Sequence, residues 1–210
     1  MRLTEHLEVT DHLLATTPAV RRKLDLDRPV PDEVLLECLR LAVRAPTAGA
    51  EQMWRWLVVR DQERRTAIGA LFREVGEPYM AARAATATPS GWASGQHLVD
   101  VIEQVPVLVI PCMVGRPPEG NAAQSVFYGG IFPAVWSFQL ALRARGLGST
   151  LTTYHLERER EAAQVLGIPD DVTQVGLLPV AYTTVDDFRP PRRQAVEELT
   201  YLDAWGAPLA

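Results

Sequence analysis

Three consecutive cations, Arg21, Arg22 and Lys23, lie just before a predicted helix in the stretch TTPAVRRKLDLDRPVPDEV, residues 16–34. Guanidinium and ammonium groups bind phosphates and carboxylates through charge-assisted hydrogen bonds. The cluster therefore predicts either an anion site or a solvated basic turn on an otherwise acidic protein. Pro18, three residues before Arg21, removes one backbone donor from the same segment. The remaining sequence has to decide between the two interpretations.

Other side chains that commonly perform chemistry show no catalytic or metal-binding spacing. The chain has no GxGxxG, GxxxxGK[ST] or GxSxG motif, so a Rossmann site, a P-loop and a hydrolase nucleophile are unsupported. The four histidines are scattered, and the sequence predicts no metal site. Cys38 and Cys112 have no CxxC partner and are predicted to be buried free thiols. Because these motifs are absent, we expect no catalytic side chain. A bound organic cofactor that supplies the chemistry is the natural alternative.

Length and composition predict a single domain over residues 1–210. The chain is 47% hydrophobic, which is enough for a large core, and no repeat or linker divides it. Its formal net charge of −5 argues against a nucleic-acid binder. The N-terminus lacks an apolar signal-peptide core, and the longest apolar run, residues 105–114, is too short to span a membrane. We expect a cytoplasmic protein that acts on small molecules without nucleic-acid or membrane partners.

Predicted helices alternate with predicted strands, which indicates an α/β or α+β three-layer domain. Residues 32–45 predict a helix with an apolar face of Leu35, Leu39, Ala42 and Val43. Asp61 is placed to cap a second helix. A third helix is predicted over residues 130–145, with a proline in its first turn. Strands are predicted at residues 54–61, 105–112, 149–154 and 174–182.

Three further segments have distinctive composition. Residues 76–97, GEPYMAARAATATPSGWASGQH, show weak periodicity and are predicted to be either a surface connection or a mobile flap over a site. The run ERERE at residues 157–161 is predicted to be the solvated face of a helix. The segment 187–205, DFRPPRRQAVEELTYLDAW, is predicted to be extended and carries a second basic cluster.

Four segments in register resemble the FMN-dependent nitroreductase family. They are AVRRKLDLDRPVPDEVL, APTAGAEQMWRWLVVRD, PAVWSFQLALRARGLGSTLTT, and LGIPDDVTQVGLLPVAY followed by the basic tail that ends in EELTYLDAW. The second segment is similar to the family pattern AP[ST]-x-x-N-x-Q-x-W-x-[FW]-x-V-V. The order and spacing of the four segments cover nearly the whole chain, and they indicate the family fold more specifically than the substrate.

The resemblance implies an α+β, three-layer α/β/α fold whose central, mostly antiparallel sheet is flanked by helices. It implies a homodimer with two FMN sites at the interface and with the C-terminal segment of one chain reaching over the other. The implied reaction transfers electrons from NAD(P)H through FMN to a small acceptor such as a nitroaromatic or a quinone. A specialised flavin enzyme, such as a dehalogenase, is an alternative within the same fold.

The resemblance also assigns residues to FMN. Thr17, Ala19 and Arg21 fall on the segment that binds the phosphate and ribityl chain, and Arg189 and Arg193 fall where the tail adds cations for the phosphate. Thr47 and Gln52 fall on the loop that borders the isoalloxazine ring from the partner chain. Thr152 and Thr153 fall where backbone groups approach the N5 edge of the flavin. Arg22, Lys23 and Arg192 are expected to be solvated cations, independently of the resemblance.

Two positions depart from the family pattern. Many relatives carry arginine where this chain has Pro18, and asparagine where it has Ala50. Each missing hydrogen bond would weaken FMN binding by about 1–3 kcal/mol. The alternative function is therefore non-catalytic binding of a small molecule, by a protein of the same fold with a degenerate flavin site.

Overall fold

A computed structural model describes residues 3–209, and the chain forms two compact units. The larger unit consists of residues 19–186 and contains the whole β-sheet. The smaller unit combines the segment up to Pro18 with the segment from Asp187 onward. The single domain over residues 1–210 stays a prediction.

The sheet of the larger unit has five strands. They are β1 Trp54–Val59, β2 Val107–Val114, β3 Leu147–Ser149, β4 Val172–Gln174 and β5 Leu178–Tyr182. Their order is β1-β2-β5-β3, β4 also pairs with β2, and every pairing is antiparallel. Seven of the eight β2 residues are buried, which explains the nearly unbroken apolar run of this central strand. The predicted α+β fold with a central antiparallel sheet and flanking helices is confirmed.

Six α-helices of the larger unit surround the sheet within the described residues. They are α2 Asp32–Ala42, α3 Gln62–Arg83, α4 Pro89–Val101, α5 Asn121–Gly129, α6 Phe132–Arg143 and α7 Glu159–Leu166. The predicted helix starts are confirmed at α3, where the Asp61 carboxylate accepts a hydrogen bond from the Arg64 backbone N–H at 3.0 Å, and at α6, where Pro133 lies in the first turn. Gly167 ends α7 with a left-handed φ of +68°.

The core lies between the sheet and the packed pair α2 and α6. The predicted apolar face of α2 is confirmed, since Leu35 and Ala42 are buried and Leu39 and Val43 pack against the same cluster. The Phe138 ring of α6 lies 5.5 Å from that of Trp56 on β1. Residues 121–143, which include α5 and α6, are long and apolar enough to cross a membrane by composition, and the burial of α6 in the core accounts for this apolarity.

The loop predicted for residues 76–97 is wrong, because α3 continues to Arg83 and α4 begins at Pro89. Alanine has the highest helix propensity, so an alanine-rich stretch forms helix without an apolar stripe. The glycines serve close packing. A Cβ at Gly76 would lie 2.9 Å from both Tyr154 and Val99, and one at Gly95 would lie 2.9 Å from Met80 Cε.

Two predicted strands are also corrected. The strand predicted at residues 149–154 is instead β3, Leu147–Ser149, followed by a single bridge between Thr152 and Leu177. The strand predicted at residues 174–182 is divided into β4 and β5. The division falls near Gly176, where the segment after β3 packs against the backbone. An added Cβ at Gly176 would lie 2.5 Å from Leu151 Cδ1.

The smaller unit contains helix α1, Leu7–Ala15, and the C-terminal segment, whose regular structure within the described residues is a short 3₁₀ turn at Val196–Leu199. Apolar side chains are exposed on both parts. Val9 is 70% exposed and Trp205 is 92% exposed, the latter with its ring 4.9 Å from Tyr201. Apolar exposure on this scale is typical of a surface that another chain covers.

Candidate functional site

A pocket of about 420 Å³ lies in the larger unit beside the C-terminal end of α3. Cationic, phenolic and hydroxyl groups line it, and no carboxylate from the described residues does. The lining residues are Arg21, Tyr79, Met80, Arg83, Thr86, Ala87, Thr88, Gly91, Gly95 and Tyr154. A pocket with two guanidiniums and no acidic side chain favours an anionic ligand.

Arg21 is half-buried in this pocket without an acceptor for its guanidinium among residues 3–209. Burial lowers the pKa of Arg21, and nearby Tyr154 acts in the opposite direction. The backbone of the segment is fixed to the sheet, since the Val20 N–H donates to the Ser149 carbonyl at 2.9 Å. Gly148 makes this approach possible, because a Cβ there would lie 2.8 Å from Val20 Cγ1. A buried cation without a counter-charge is costly, so a ligand that supplies one binds favourably.

Arg83 is the second cation of the pocket, and its own helix positions it. Arg83 and Tyr79 lie one turn apart on α3, and the Arg83 Nη1 atom donates to the Tyr79 hydroxyl at 2.9 Å. This hydrogen bond raises the pKa of Arg83, so the group stays charged. No carboxylate of the described chain forms an ion pair with it.

The hydroxyl of Tyr154 interacts electrostatically with both cations of the pocket, Arg21 and Arg83. Burial raises the pKa of Tyr154 and Tyr79 adds to this, whereas Arg21 and Arg83 oppose the increase. Its hydroxyl donates to the Met80 sulfur at 3.7 Å, which is a weak acceptor. The Tyr154 hydroxyl can therefore exchange this bond for a stronger one to an oxygen of a ligand.

The corner between α3 and α4 closes the other side of the pocket. Thr88 caps α4 by accepting a hydrogen bond from the Gly91 N–H at 3.2 Å, and the Trp92 indole N–H donates to the Met80 carbonyl at 2.9 Å. Residues 76–97 thus form part of a pocket wall, as a pair of helices with fixed contacts.

The structure brings only part of the predicted site together. Of the nine predicted FMN residues, Arg21 lines the pocket, and Thr152 and Thr153 directly precede the lining residue Tyr154. Ala19 is exposed near Arg21 in sequence. Thr47 and Gln52 are not pocket residues; the Thr47 hydroxyl bonds to the Glu51 carbonyl, and Gln52 is exposed.

The other three predicted residues belong to the smaller unit. Thr17 is half-buried and its hydroxyl donates to the Leu13 carbonyl at 2.6 Å, while Arg189 and Arg193 are exposed. Arg22 and Lys23 are exposed as well, which agrees with their interpretation as solvated cations. The assignments of all nine residues to FMN stay predictions.

Sequence reasoning missed Arg83, Tyr79 and Tyr154. Tyr79 and Arg83 have helical i, i+4 spacing, but the prediction of a loop over residues 76–97 hides this signal. The sequence predicts Tyr154 at the end of a strand, whereas it begins a 3₁₀ turn, Tyr154–Arg158.

A second cavity of about 740 Å³ has a different character. It is lined by α7, the loop before β4 and Arg116, whose guanidinium donates to the Glu159 carboxylate at 3.0 and 2.9 Å. Glu159 also accepts a hydrogen bond from the Gln174 backbone N–H at 3.2 Å. The prediction of a fully solvated face at residues 157–161 is therefore wrong at Glu159, which joins α7 to β4. Because Arg116 is paired with Glu159 and the lining includes a second carboxylate, Asp170, as well as Arg160, this cavity offers less to an anion than the first pocket.

Buried titratable groups elsewhere are held uncharged. Burial raises the pKa of Cys38 to about 11 and that of Cys112 to about 12, and the prediction of buried free thiols is confirmed. His155 is fully buried and neither ring nitrogen has a hydrogen-bond partner in the described chain. Burial lowers the pKa of His155 to about 4, against an opposing effect of Glu159. None of these groups lines the pocket that contains Arg21 and Arg83, the arginine pocket.

The chain belongs to the nitroreductase family, whose model matches residues 19–182. It is 25% identical over 158 residues to an Archaeoglobus fulgidus protein provisionally described as an NADH dehydrogenase/NAD(P)H nitroreductase, across 74% of this chain and 76% of the relative. The predicted family resemblance is confirmed, and with it a flavin-dependent oxidoreductase class in general terms.

Solved structures share the fold. A nitroreductase-like family protein from Bacillus cereus superposes with a TM-score of 0.69 at 20% identity, over 91% of this chain and 94% of the other. An iodotyrosine deiodinase bound to FMN and 3-iodo-L-tyrosine gives 0.66 at 21% identity, over 87% and 94%. A BluB-like flavoprotein from Clostridium difficile gives 0.66 at 18% identity, over 96% and 99%. At these identities the similarity establishes the fold alone.

Proposed function

We propose that the protein is an FMN-dependent oxidoreductase that transfers electrons from NAD(P)H to a small organic acceptor such as a nitroaromatic or a quinone. The observation that carries this proposal is the half-buried Arg21 guanidinium, which lines a pocket without a carboxylate and has no acceptor among residues 3–209. The family model and the names of the relatives support the flavin and the reductant.

The pocket fits a flavin in its donor chemistry. Arg21 offers a cation to the acceptor-rich edge or the phosphate of FMN, and Tyr154 offers a hydroxyl whose present partner is a weak acceptor. FMN held by these residues would supply the hydride chemistry between NAD(P)H and the acceptor, and a quinone that gains one hydride and one proton becomes a hydroquinone. The chain contributes binding, orientation and a fixed positive charge, and we propose that it needs no side-chain acid or base.

The remaining assignments follow from the resemblance. Thr17, Ala19, Arg189 and Arg193 would hold the phosphate and ribityl chain, Thr152 and Thr153 would approach N5, and Thr47 and Gln52 would border the ring in a partner chain. The last assignment requires a homodimer.

The exposed apolar side chains support the homodimer. Trp205, Val196 and Leu199 in the C-terminal segment and Val9 in α1 are each more than half exposed. A large apolar interface is typical of obligate dimers. We also propose a cytoplasmic protein that acts on small molecules, consistent with its acidic composition.

An absorption spectrum of the freshly purified protein, before and after addition of FMN, tests the proposal. We expect a flavin spectrum that bleaches anaerobically on addition of NADH or NADPH and recovers on addition of menadione. A protein that binds FMN but is reduced by neither nucleotide would contradict the oxidoreductase.

The second candidate is a non-catalytic small-molecule binder, which Pro18 and Ala50 favour because each removes a polar group from the family pattern. It predicts a colourless protein that takes up no FMN at micromolar concentration. The same spectrum therefore separates the two functions.

A further inference from the structure

The arginine pocket contains more positive charge than the cofactor assignment uses. The resemblance assigns Arg21 to FMN, whereas Arg83 lies on α3, in the segment 76–97 that none of the family motifs covers. Both guanidiniums line the same pocket. With Arg21 committed to the cofactor, Arg83 remains as a cation without a carboxylate partner in the described chain.

Arg83 is exposed at the mouth of the pocket, and its orienting contact is with Tyr79, which is itself 44% exposed. Its Nη1 atom bonds to the Tyr79 hydroxyl at 2.9 Å, and its guanidinium carbon lies 5.7 Å from the centre of the Tyr79 ring. A hydroxyl orients a guanidinium without neutralising it, so Arg83 retains its full charge and further N–H donors for a ligand. This arrangement is typical of an anion-recognition group.

Aromatic side chains stand beside the cation. The rings of Tyr79 and Tyr154 are 5.2 Å apart and tilted by 51°, and both line the pocket. Tilted rings present edges and faces to an aromatic ligand. The pocket therefore combines an aromatic wall with a guanidinium, which is the chemistry that binds an aromatic carboxylate.

We propose that the electron acceptor is a nitroaromatic or quinone that also carries a carboxylate. The nitro or quinone group is reduced, and Arg83, bonded to Tyr79, is the residue that selects the carboxylate. The inference rests on the proposed function, and it assigns a substrate class that the family membership alone leaves open. It makes Arg83 a specificity-determining residue for the acceptor, while the cofactor depends on Arg21.

Two nearly isosteric acceptors test the inference. 4-Nitrobenzoate carries the carboxylate, and 4-nitrobenzamide replaces it with a neutral amide of similar size. Because Arg83 is exposed, Arg83→Gln is expected to raise the KM for 4-nitrobenzoate by up to about five-fold, the size of a solvent-screened ion pair, and to leave the KM for 4-nitrobenzamide unchanged. Arg83→Lys should restore part of the difference because it keeps the charge without the planar fork.

The matched control is Arg64→Gln, the same substitution in the first turn of the same helix, more than about 25 Å away along its axis. Arg64 is exposed and should leave both acceptors unchanged. The FMN dissociation constant should be the same in the wild type, Arg83→Gln and Arg64→Gln. If Arg83→Gln weakens FMN ten-fold and does not change the preference between acceptors, the anion of this pocket belongs to the cofactor and the inference is wrong.

Calorimetric titration of benzoate and benzamide into the protein tests the anion site without turnover. We expect benzoate to bind more tightly than benzamide, and Arg83→Gln to abolish the difference. Equal binding of the two ligands to the wild type would overturn the inference even if the protein proves to be an oxidoreductase. Conversely, a protein that prefers benzoate but is not reduced by NAD(P)H would contradict the proposed function and the role of the ligand as electron acceptor, while the carboxylate site at Arg83 would stand.

Discussion

Replacing Ala50 by asparagine should stabilise the protein, because Ala50 adopts a backbone conformation that asparagine tolerates better. Ala50 has a φ of +58° and follows Gly49, which has a φ of +62°. The left-handed region costs most L-residues about 1–2 kcal/mol, and asparagine is several-fold enriched there.

The expected gain is about 0.5–1 kcal/mol in the free energy of unfolding, a part of the strain that alanine bears. For a chain of this size that corresponds to an increase of about 1–4 °C in Tm. The side chain is exposed, so the new amide needs no rearrangement of the core. Since Thr47 and Gln52 flank the same turn, the amide would also add a donor and an acceptor to the predicted flavin-binding loop.

Ala50→Gly is the matched control. Glycine removes the whole strain of about 1–2 kcal/mol, but the greater entropy of the unfolded chain costs about 0.4–1 kcal/mol, so its net gain in stability should be similar to that of Ala50→Asn. Urea unfolding and FMN titration of both variants separate the backbone effect from the amide effect. We expect only Ala50→Asn to bind FMN more tightly. Stability equal to or lower than that of the wild type in Ala50→Asn would refute the assigned conformation.

Three other predictions concern the core, the dimer and the cofactor. Between pH 6.5 and about 4 the unfolded chain binds a proton on His155 that the folded chain does not, because burial lowers the pKa of His155 to about 4. The free energy of unfolding should therefore fall by about 2 kcal/mol from pH 7 to pH 5. Urea titrations at the two pH values should show that His155→Leu removes this contribution. Trp205→Ser should weaken the proposed homodimer, and sedimentation of the wild type as a stable folded monomer at micromolar concentration would contradict it. Pro18→Arg should tighten FMN binding about ten- to a hundred-fold by returning a cation and a backbone donor, and an unchanged dissociation constant in a fluorescence titration would count against the flavin-phosphate segment.

The parts of the fold that local patterns control could be predicted from the sequence. The apolar periodicity of α2, the aspartate cap of α3 and the aromatic and β-branched run of β1 each act within a few residues. Residues 76–97 could not be predicted in the same way, because Gly76 and Gly95 resemble loop residues until the side chains packed against them are known.

Of the residues that line the candidate site, Arg21 could be predicted from the sequence, whereas Arg83 and Tyr154 could not. Arg21, Arg22 and Lys23 are adjacent cations of the same type of charge, and the fold, in which the Val20 N–H donates to the Ser149 carbonyl, places Arg21 in the pocket. Tyr154 and Arg83 are distant in sequence and meet only through the packing of α3 against the turn at residues 154–158. Local patterns carry no information about such a meeting.

FMN titration of the wild type and of two adjacent arginine variants tests the central claim most directly. Arg21 lines the pocket without an acceptor, and Arg22 is exposed to solvent, so Arg22→Gln is a control that changes the net charge by the same amount. We expect the wild type to bind FMN, Arg21→Gln to bind it about ten- to a hundred-fold more weakly, and Arg22→Gln to stay within about two-fold of the wild type. Equal dissociation constants for the two variants, or a wild type that takes up no FMN, would contradict the account.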